Sequence, residues 1–316
     1  MKTAQVLSWM LAAIATASAK HPKYNESIVV NVAPDFLRPT ANSSDGTFSL
    51  VQHNGKDSGW TSARPHTHRL THEHFYCARG RVELWGQKNA TNATDEARLT
   101  DPDTQLTHIF HPGGFEYLFD VFSLGEFETS AISSPYIVIP ADAQPSGPLT
   151  PELDVLFAGL DLYAAPEEAL KWHNGANTLP NDPTEPYFVA KDYGPKYLNS
   201  DNGYKVIRPL ATPEQATGGT IIMSPKLPNQ SSSNATLPHH FALQMEDGQL
   251  VLSVNGYDSV SLLQGDVTFI PSGIPFTYHS TVPFTKFMYM NARAEGLDNQ
   301  LLKKSVNWDF PAYPNA

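Results

Sequence analysis

The sequence predicts an all-β protein built twice, two barrel- or sandwich-like halves joined by a partly helical connector. Three observations predict it. Short alternating strands recur, cut by Gly, Pro and Asn, with 26 Pro and 20 Gly in 316 residues. The two halves carry related landmarks in the same order. The stretch between them changes texture, with apolar residues at helical spacing.

The chain opens on a secretory signal over residues 1–19. Lys2 supplies the positive end, Val6 to Ala15 is mostly apolar, and Ala17-Ser-Ala19 is a small-residue cleavage site. The apolar run is too short to span a bilayer, and nothing later resembles a membrane helix. The expected protein is therefore extracellular, beginning at Lys20. Six sequons agree with that route, and N-glycans are expected at Asn25, Asn42, Asn89, Asn92, Asn229 and Asn234. The single cysteine, Cys77, allows no internal disulfide, so the core must hold the fold. It lies in the apolar run Phe75-Tyr-Cys-Ala and reads as a small buried residue. A formal net charge of -11 argues against a nucleic-acid surface, which needs clustered Lys and Arg.

Residues 20–145 form the first half, 146–195 the connector and 196–316 the second half. Phe36-Leu-Arg-Pro39 answers Val206-Ile-Arg-Pro209, and Gly46-Thr-Phe48 answers Gly219-Thr-Ile221. Gly80-Arg-Val-Glu-Leu84 is paired with Gly256-Tyr-Asp-Ser-Val260, and Pro102-Asp-Thr-Gln-Leu106 with Pro283-Phe-Thr-Lys-Phe287. Clear strands include 249–254, 267–271 and 286–291. In the connector, Glu152 to Tyr163 reads as a helix and Pro166-Glu-Glu-Ala-Leu170 starts a second with Pro in its first turn. Asn174 to Tyr187 and Pro225 to Pro238 read as polar loops.

The residues that carry chemistry lie in the first half. His66-Thr-His68 places two imidazoles on one face of a strand, since residues two apart share a face. A second strand, Glu73 to Cys77, returns Glu73 to the same interior. Two neutral nitrogens and one hard oxygen suit a catalytic divalent metal with open positions. The bland alternative is a surface hairpin with scattered histidines; pairing, spacing and the downstream Gly80 argue against it together. His72 and His74 have the opposite parity and read as exterior or supporting residues. Phe75 shares the face of Glu73 and is placed to line an apolar pocket.

The spacing His66-x-His68-x4-Glu73-x6-Gly80 resembles the first motif of the cupins, small β-barrels that hold a metal inside; two such halves make a bicupin. The wider text is similar to the fungal quercetin 2,3-dioxygenases. The likeness lies in Glu73 to Gln87 (EHFYCARGRVELWGQ), Pro112-Gly-Gly-Phe-Glu116, and Gly194-Pro-Lys-Tyr-Leu198 leading to Pro209-Leu-Ala-Thr-Pro213. The resemblance implies a secreted enzyme with copper in its first barrel, iron or another transition metal being the alternative. It implies cleavage of flavonols such as quercetin with O2 and release of carbon monoxide. It also implies His66, His68 and Glu73 as ligands, and Glu73 as the base for the flavonol 3-hydroxyl.

A cupin barrel completes its site with a second motif, and the second half has that text: Gly265-Asp-Val-Thr-Phe-Ile-Pro271-Ser-Gly273. The first half carries Lys88-Asn-Ala-Thr-Asn-Ala-Thr-Asp-Glu96 instead, with no histidine between His74 and His108. About one β-hairpin of wall is expected to be absent, through a shortened barrel or a lost exon. His108 is the candidate substitute ligand; it and His111 have opposite parity, so at most one faces inward. Counting back from Gly256 gives Ala242, Gln244 and Gln249 at the ligand positions of the second half, and the second-motif histidine position is Phe276, so no metal is expected there. Three functions follow: a flavonol-cleaving dioxygenase, a catalytically impaired or non-enzymatic bicupin that binds a small molecule, or a different metal-dependent dioxygenase or decarboxylase on the same fold.

Overall fold

Runs rich in β-branched and aromatic residues, cut by turn residues, form strands throughout the computed structural model. It describes residues 28–30, 43–54, 60–88, 93–99, 104–117, 151–164, 177–215 and 217–314. They divide into two units, one from 43 to 164 and one from 177 to 314 that also takes in residues 28–30. The expected signal segment, the sequons at Asn25, Asn42, Asn89 and Asn92, and the helix expected at Pro166 lie outside the described residues.

In chain order the strands of the first unit are β2 (Ser49–Asn54), β3 (Trp60–His68), β4 (His72–Arg79), β5 (Val82–Lys88), β6 (Ala93–Leu99), β7 (Gln105–His111) and β8 (Tyr163–Ala164), after β1 (Ile28–Val30). Helix α1 (Pro151–Gly159) precedes β8, so the helix expected to reach Tyr163 ends early and the chain turns back as a strand. One sheet has the order β2-β7-β4 and the facing one β5-β6-β3-β8. The second unit holds β9 (Tyr197–Asn199), β10 (Lys205–Pro209), β11 (Thr217–Met223), β12 (Ser233–Ala235), β13 (Phe241–Asp247), β14 (Leu250–Val254), β15 (Val260–Leu262), β16 (Val267–Ile270), β17 (Phe276–Ser280), β18 (Thr285–Asn291) and β19 (Ser305–Asn307), with α2 (Leu297–Leu302) before β19. Its sheets run β1-β16-β13-β18-β11-β10-β9-β19 and β12-β17-β14-β15.

Two expectations are corrected here. Strand β1, expected in the first half, pairs with β16 of the second unit, Val29 opposite Thr268. The loop expected from Pro225 to Pro238 contains β12, which pairs with β17. Neither pairing has a local signal, because both partners lie far along the chain. Asn229 and Asn234 are both exposed, Asn234 from a strand rather than a loop.

The pairings fix the register between the units. Strand β7 lies between β2 and β4 as β18 lies between β11 and β13, and β6 lies between β5 and β3 as β17 lies between β14 and β12. Gly80 and Gly248 therefore correspond. Both have positive φ, +75° and +74°, and a side chain at either would collide with a threonine, Thr104 or Thr285. Each threonine hydroxyl donates to the carbonyl just past its glycine, Arg81 or Gln249, at 3.0 Å. The expected pairing of Gly80 with Gly256 is corrected accordingly. Gly256 is another turn glycine, φ +89°, one strand later.

From Gly80 the chain reaches its threonine in 24 residues; from Gly248 it takes 37. The difference is β15 and β16, which have no counterpart among the described residues of the first unit. The effect on burial is direct. Leu243, Met245, Leu250 and Leu252 are at most 2% exposed in the second unit. Their counterparts Phe75, Cys77, Val82 and Leu84 are only partly buried around Leu106. Cys77, expected to be buried, is half-buried for this reason, and its thiol donates to the Arg79 carbonyl at 3.3 Å.

The second unit closes its interior with a polar plug. Buried Asp298 accepts from the Tyr289 hydroxyl at 3.3 Å and from the Asn291 amide at 2.9 Å. Burial raises the Asp298 carboxyl above its usual value, and its hydrogen bonds only partly offset that. A raised folded-state pKa means stability present below the unfolded value and lost as pH rises through the folded one. The stability difference between Asp298→Asn and the parent chain should therefore shift toward the variant between pH 3 and pH 7. Urea unfolding at several pH values measures it; a difference independent of pH contradicts the assignment.

Candidate metal centre

Strand period places the site. On β3, His66 and His68 share a face, and on β4 Glu73, Phe75 and Cys77 share one, with a turn at residues 69–71 between the strands. The structure brings the predicted residues together. Nε2 of His66 lies 3.2 Å from Nε2 of His68, and Glu73 Oε2 lies 3.4 Å from the first and 3.1 Å from the second. His66, His68 and Glu73 form the one group among the described residues whose donor atoms converge closely enough for a metal ion. All three side chains are buried.

These distances fit a metal. Bonds of about 2.0–2.1 Å at roughly 90–110° put neighbouring donors about 2.8–3.4 Å apart. The chemistry of the donors fits as well. His68 Nδ1 lies 2.8 Å from the backbone carbonyl of Asp161. A carbonyl only accepts, so Nδ1 carries the proton and Nε2 is the atom left to bind a metal. Two imidazole nitrogens and a carboxylate oxygen facing one another in a buried space need a shared proton or a shared cation between them.

His108 takes a different place from the one expected. It faces inward, but its Nδ1 lies 2.7 Å from Glu73 Oε1, the oxygen turned away from His66 and His68. It holds the carboxylate and is not part of the convergent donor set. Burial alone drives the Glu73 pKa up; the contacts with His108, His66 and His68 outweigh it and hold the carboxyl well below the usual range. His111 lies on the other face. There it opposes His72 across the strand pair, and with His72 it lowers half-buried His74 to about 4, burial being the larger cause. His72 and His74 are thus off the metal side.

Aromatic rings enclose the centre. Phe75 packs edge-on against His108 at 4.8 Å between centroids, and Phe115 against His68 at 5.4 Å. Phe110 stacks on Phe115 at 4.3 Å. Phe75 was legible from strand parity. Phe110 follows from the same parity once β7 is placed beside β4, because it sits opposite Glu73. Phe115 and Asp161 were missed: one follows the Gly113-Gly114 turn, the other lies beyond α1, and no local pattern points either at His68. By register alone, β6 sets Asp95 opposite His66, the place that Phe276 takes opposite Ala235 in the second unit.

The same register corrects the ligand positions of the second unit. His66, His68, Glu73 and His108 correspond to Ala235, Leu237, Phe241 and Tyr289, not to residues counted from Gly256. Ala235, Leu237 and Phe241 offer no donor atom, and all four lie in the apolar core.

No family model matches the chain. Among solved structures, the chain is similar to an arginine-to-alanine mutant of Bacillus subtilis oxalate decarboxylase, with 11% identity, a TM-score of 0.47, and 90% of this chain and 80% of that one covered. It is also similar to a glycine-to-alanine mutant of salicylate 1,2-dioxygenase from Pseudoaminobacter salicylatoxidans, with 12% identity, a TM-score of 0.46, and 92% and 90% covered. Among characterised sequences, a quercetin 2,3-dioxygenase from Aspergillus japonicus is 31% identical, over 91% of this chain and 98% of its own. That match runs over 348 positions, more than the 316 residues present, so the relative carries residues with no counterpart here, as a lost hairpin requires. With the donor set in place and that identity along nearly the whole length, the chain belongs to the quercetin 2,3-dioxygenase family and has its bicupin fold.

Proposed function

We propose that the protein is a secreted, metal-dependent dioxygenase that opens flavonols such as quercetin with O2 and releases carbon monoxide, with copper as the preferred metal. The observation that carries this reading is the convergence of His66, His68 and Glu73 beside aromatic walls, in a chain of this family. The leader over residues 1–19 and the exposed sequons at Asn229 and Asn234 support secretion and glycosylation.

His66, His68 and Glu73 would hold the metal. When bound, it supplies a Lewis acid that makes a coordinated hydroxyl more acidic and a centre for O2 chemistry. The chain's own residues do the rest. Glu73 takes the proton of the flavonol 3-hydroxyl, and His108 holds its far oxygen so that Oε2 stays turned toward the ligands. Phe75, Phe110 and Phe115 give a flat aromatic substrate apolar surface and keep water from the reacting ring.

The test is a metal-loaded assay with quercetin, following flavonol absorbance, O2 uptake and CO together. One CO per flavonol and per O2 is expected. Metal-loaded protein that consumes neither overturns the reading. The partly open wall around Phe75, Cys77, Val82 and Leu84 favours a second reading, a bicupin that binds the flavonol without turning it over. Saturable flavonol binding with no O2 uptake is the outcome that selects it.

A further inference from the structure

We infer that Asp161 is a positioning residue of the metal centre, and that the short segment after α1 sets the geometry of the ligand hairpin from outside it. The inference rests on the reading of His66, His68 and Glu73 as metal ligands.

The turn between β3 and β4 is exposed, with Leu70 at 77%. Its three successive backbone N–H groups nonetheless converge on one side chain. Arg69 N–H donates to Asp161 Oδ1 at 3.1 Å, and those of Leu70 and Thr71 donate to Oδ2 at 2.9 and 2.8 Å. Water would satisfy all three, so satisfaction of the amides is not what the carboxylate provides. It fixes the path of the turn that joins His68 to Glu73. Charge-assisted bonds to three consecutive amides form a rigid anion nest.

The same residue acts on His68 directly. Its carbonyl accepts from His68 Nδ1 at 2.8 Å, which sets the tautomer and aims Nε2 at Glu73. Asp161 has φ +61°, a left-handed conformation that Asp adopts more readily than most residues. Two residues on, β8 adds to the free side of β3, Tyr163 opposite Thr67 and Ala164 opposite His66. The Arg69 guanidinium lies 3.7 Å from the Tyr163 ring centroid. A stretch of four residues, Asp161 to Ala164, thus holds the chain from His66 to Thr71 without offering the metal a donor atom.

The experiment is a Cu(II) titration against a competing chelator on the full-length protein, for the parent chain, Asp161→Ala and Asp161→Asn. Amide exchange at Arg69, Leu70 and Thr71 is followed in the metal-free forms. Asp161→Ala should weaken Cu(II) binding about 10–100-fold, the range for supporting partners of metal ligands, and should speed exchange at those three amides. Asp161→Asn keeps one side-chain oxygen and the tolerance for positive φ, so it should fall between. It also carries the test if the alanine variant does not fold. Both readouts must move together. Unchanged affinity, with or without faster exchange, overturns the inference, as does weaker binding with unchanged exchange. A parent chain that takes up no Cu(II) overturns the metal-site reading itself, and the inference with it.

Discussion

Glu73→Gln should lose nearly all turnover of a flavonol while keeping a bound metal. The amide matches the carboxylate in shape and leaves one oxygen toward His66 and His68, but it cannot accept a proton at neutral pH. A positioned general base contributes roughly 10²–10⁴-fold, so kcat should fall by at least about 10². Flavonol affinity should change little, because the aromatic walls of Phe75, Phe110 and Phe115 are untouched. His66→Ala, by contrast, should remove the metal, leaving one imidazole and one carboxylate. Elemental analysis beside steady-state O2 uptake separates the two variants. Full activity in Glu73→Gln would show that the proton leaves by another route. A metal-free Glu73→Gln would show that the carboxylate is needed as a ligand before it can serve as a base.

What the sequence disclosed and what it hid follow from the range of the interactions. His66, His68, Glu73 and Phe75 were legible because strand period alone decides their faces, and they lie within ten residues. The inward face of His108 was open to the same argument, but its partner was not. Which oxygen of Glu73 it meets depends on the pairing of β7 with β4, 35 residues away. The lost hairpin was legible as missing text and its size, about one hairpin, was legible too, but the repeat around it was registered on the wrong glycine. Gly248 and Gly256 both sit in turns at positive φ, and only the strand pairing and the steric contact with Thr285 tell them apart. Asp161 could not be found from sequence at all: its three N–H donors come from a turn 90 to 92 residues earlier.

Heating should unfold the protein in two steps, with added metal raising the first and leaving the second in place. The order follows from burial. Phe75, Cys77, Val82 and Leu84 pack against Leu106 while part of each remains in water, whereas Leu243, Met245, Leu250 and Leu252 are sealed by β15 and β16. Fully burying such a side chain is worth about 1.5–3 kcal/mol, so four incomplete burials leave the first unit several kcal/mol weaker on that side. Metal binds only the folded first unit, because only folding brings His66 and His68 within 3.4 Å of Glu73. At about 100 times its dissociation constant a ligand adds roughly 2.7 kcal/mol. For a unit of this size that is a rise of about 5–10 °C. Calorimetry with and without Cu(II), on the parent chain and on His66→Ala, measures it. The variant should keep both transitions and lose the shift. A metal-dependent rise in the upper transition would place the cation in the second unit, where Ala235, Leu237 and Phe241 offer it nothing. A single cooperative transition would mean that the open side of the first barrel is no weaker than the sealed one, and that the lost hairpin costs the fold less than its exposed apolar surface implies.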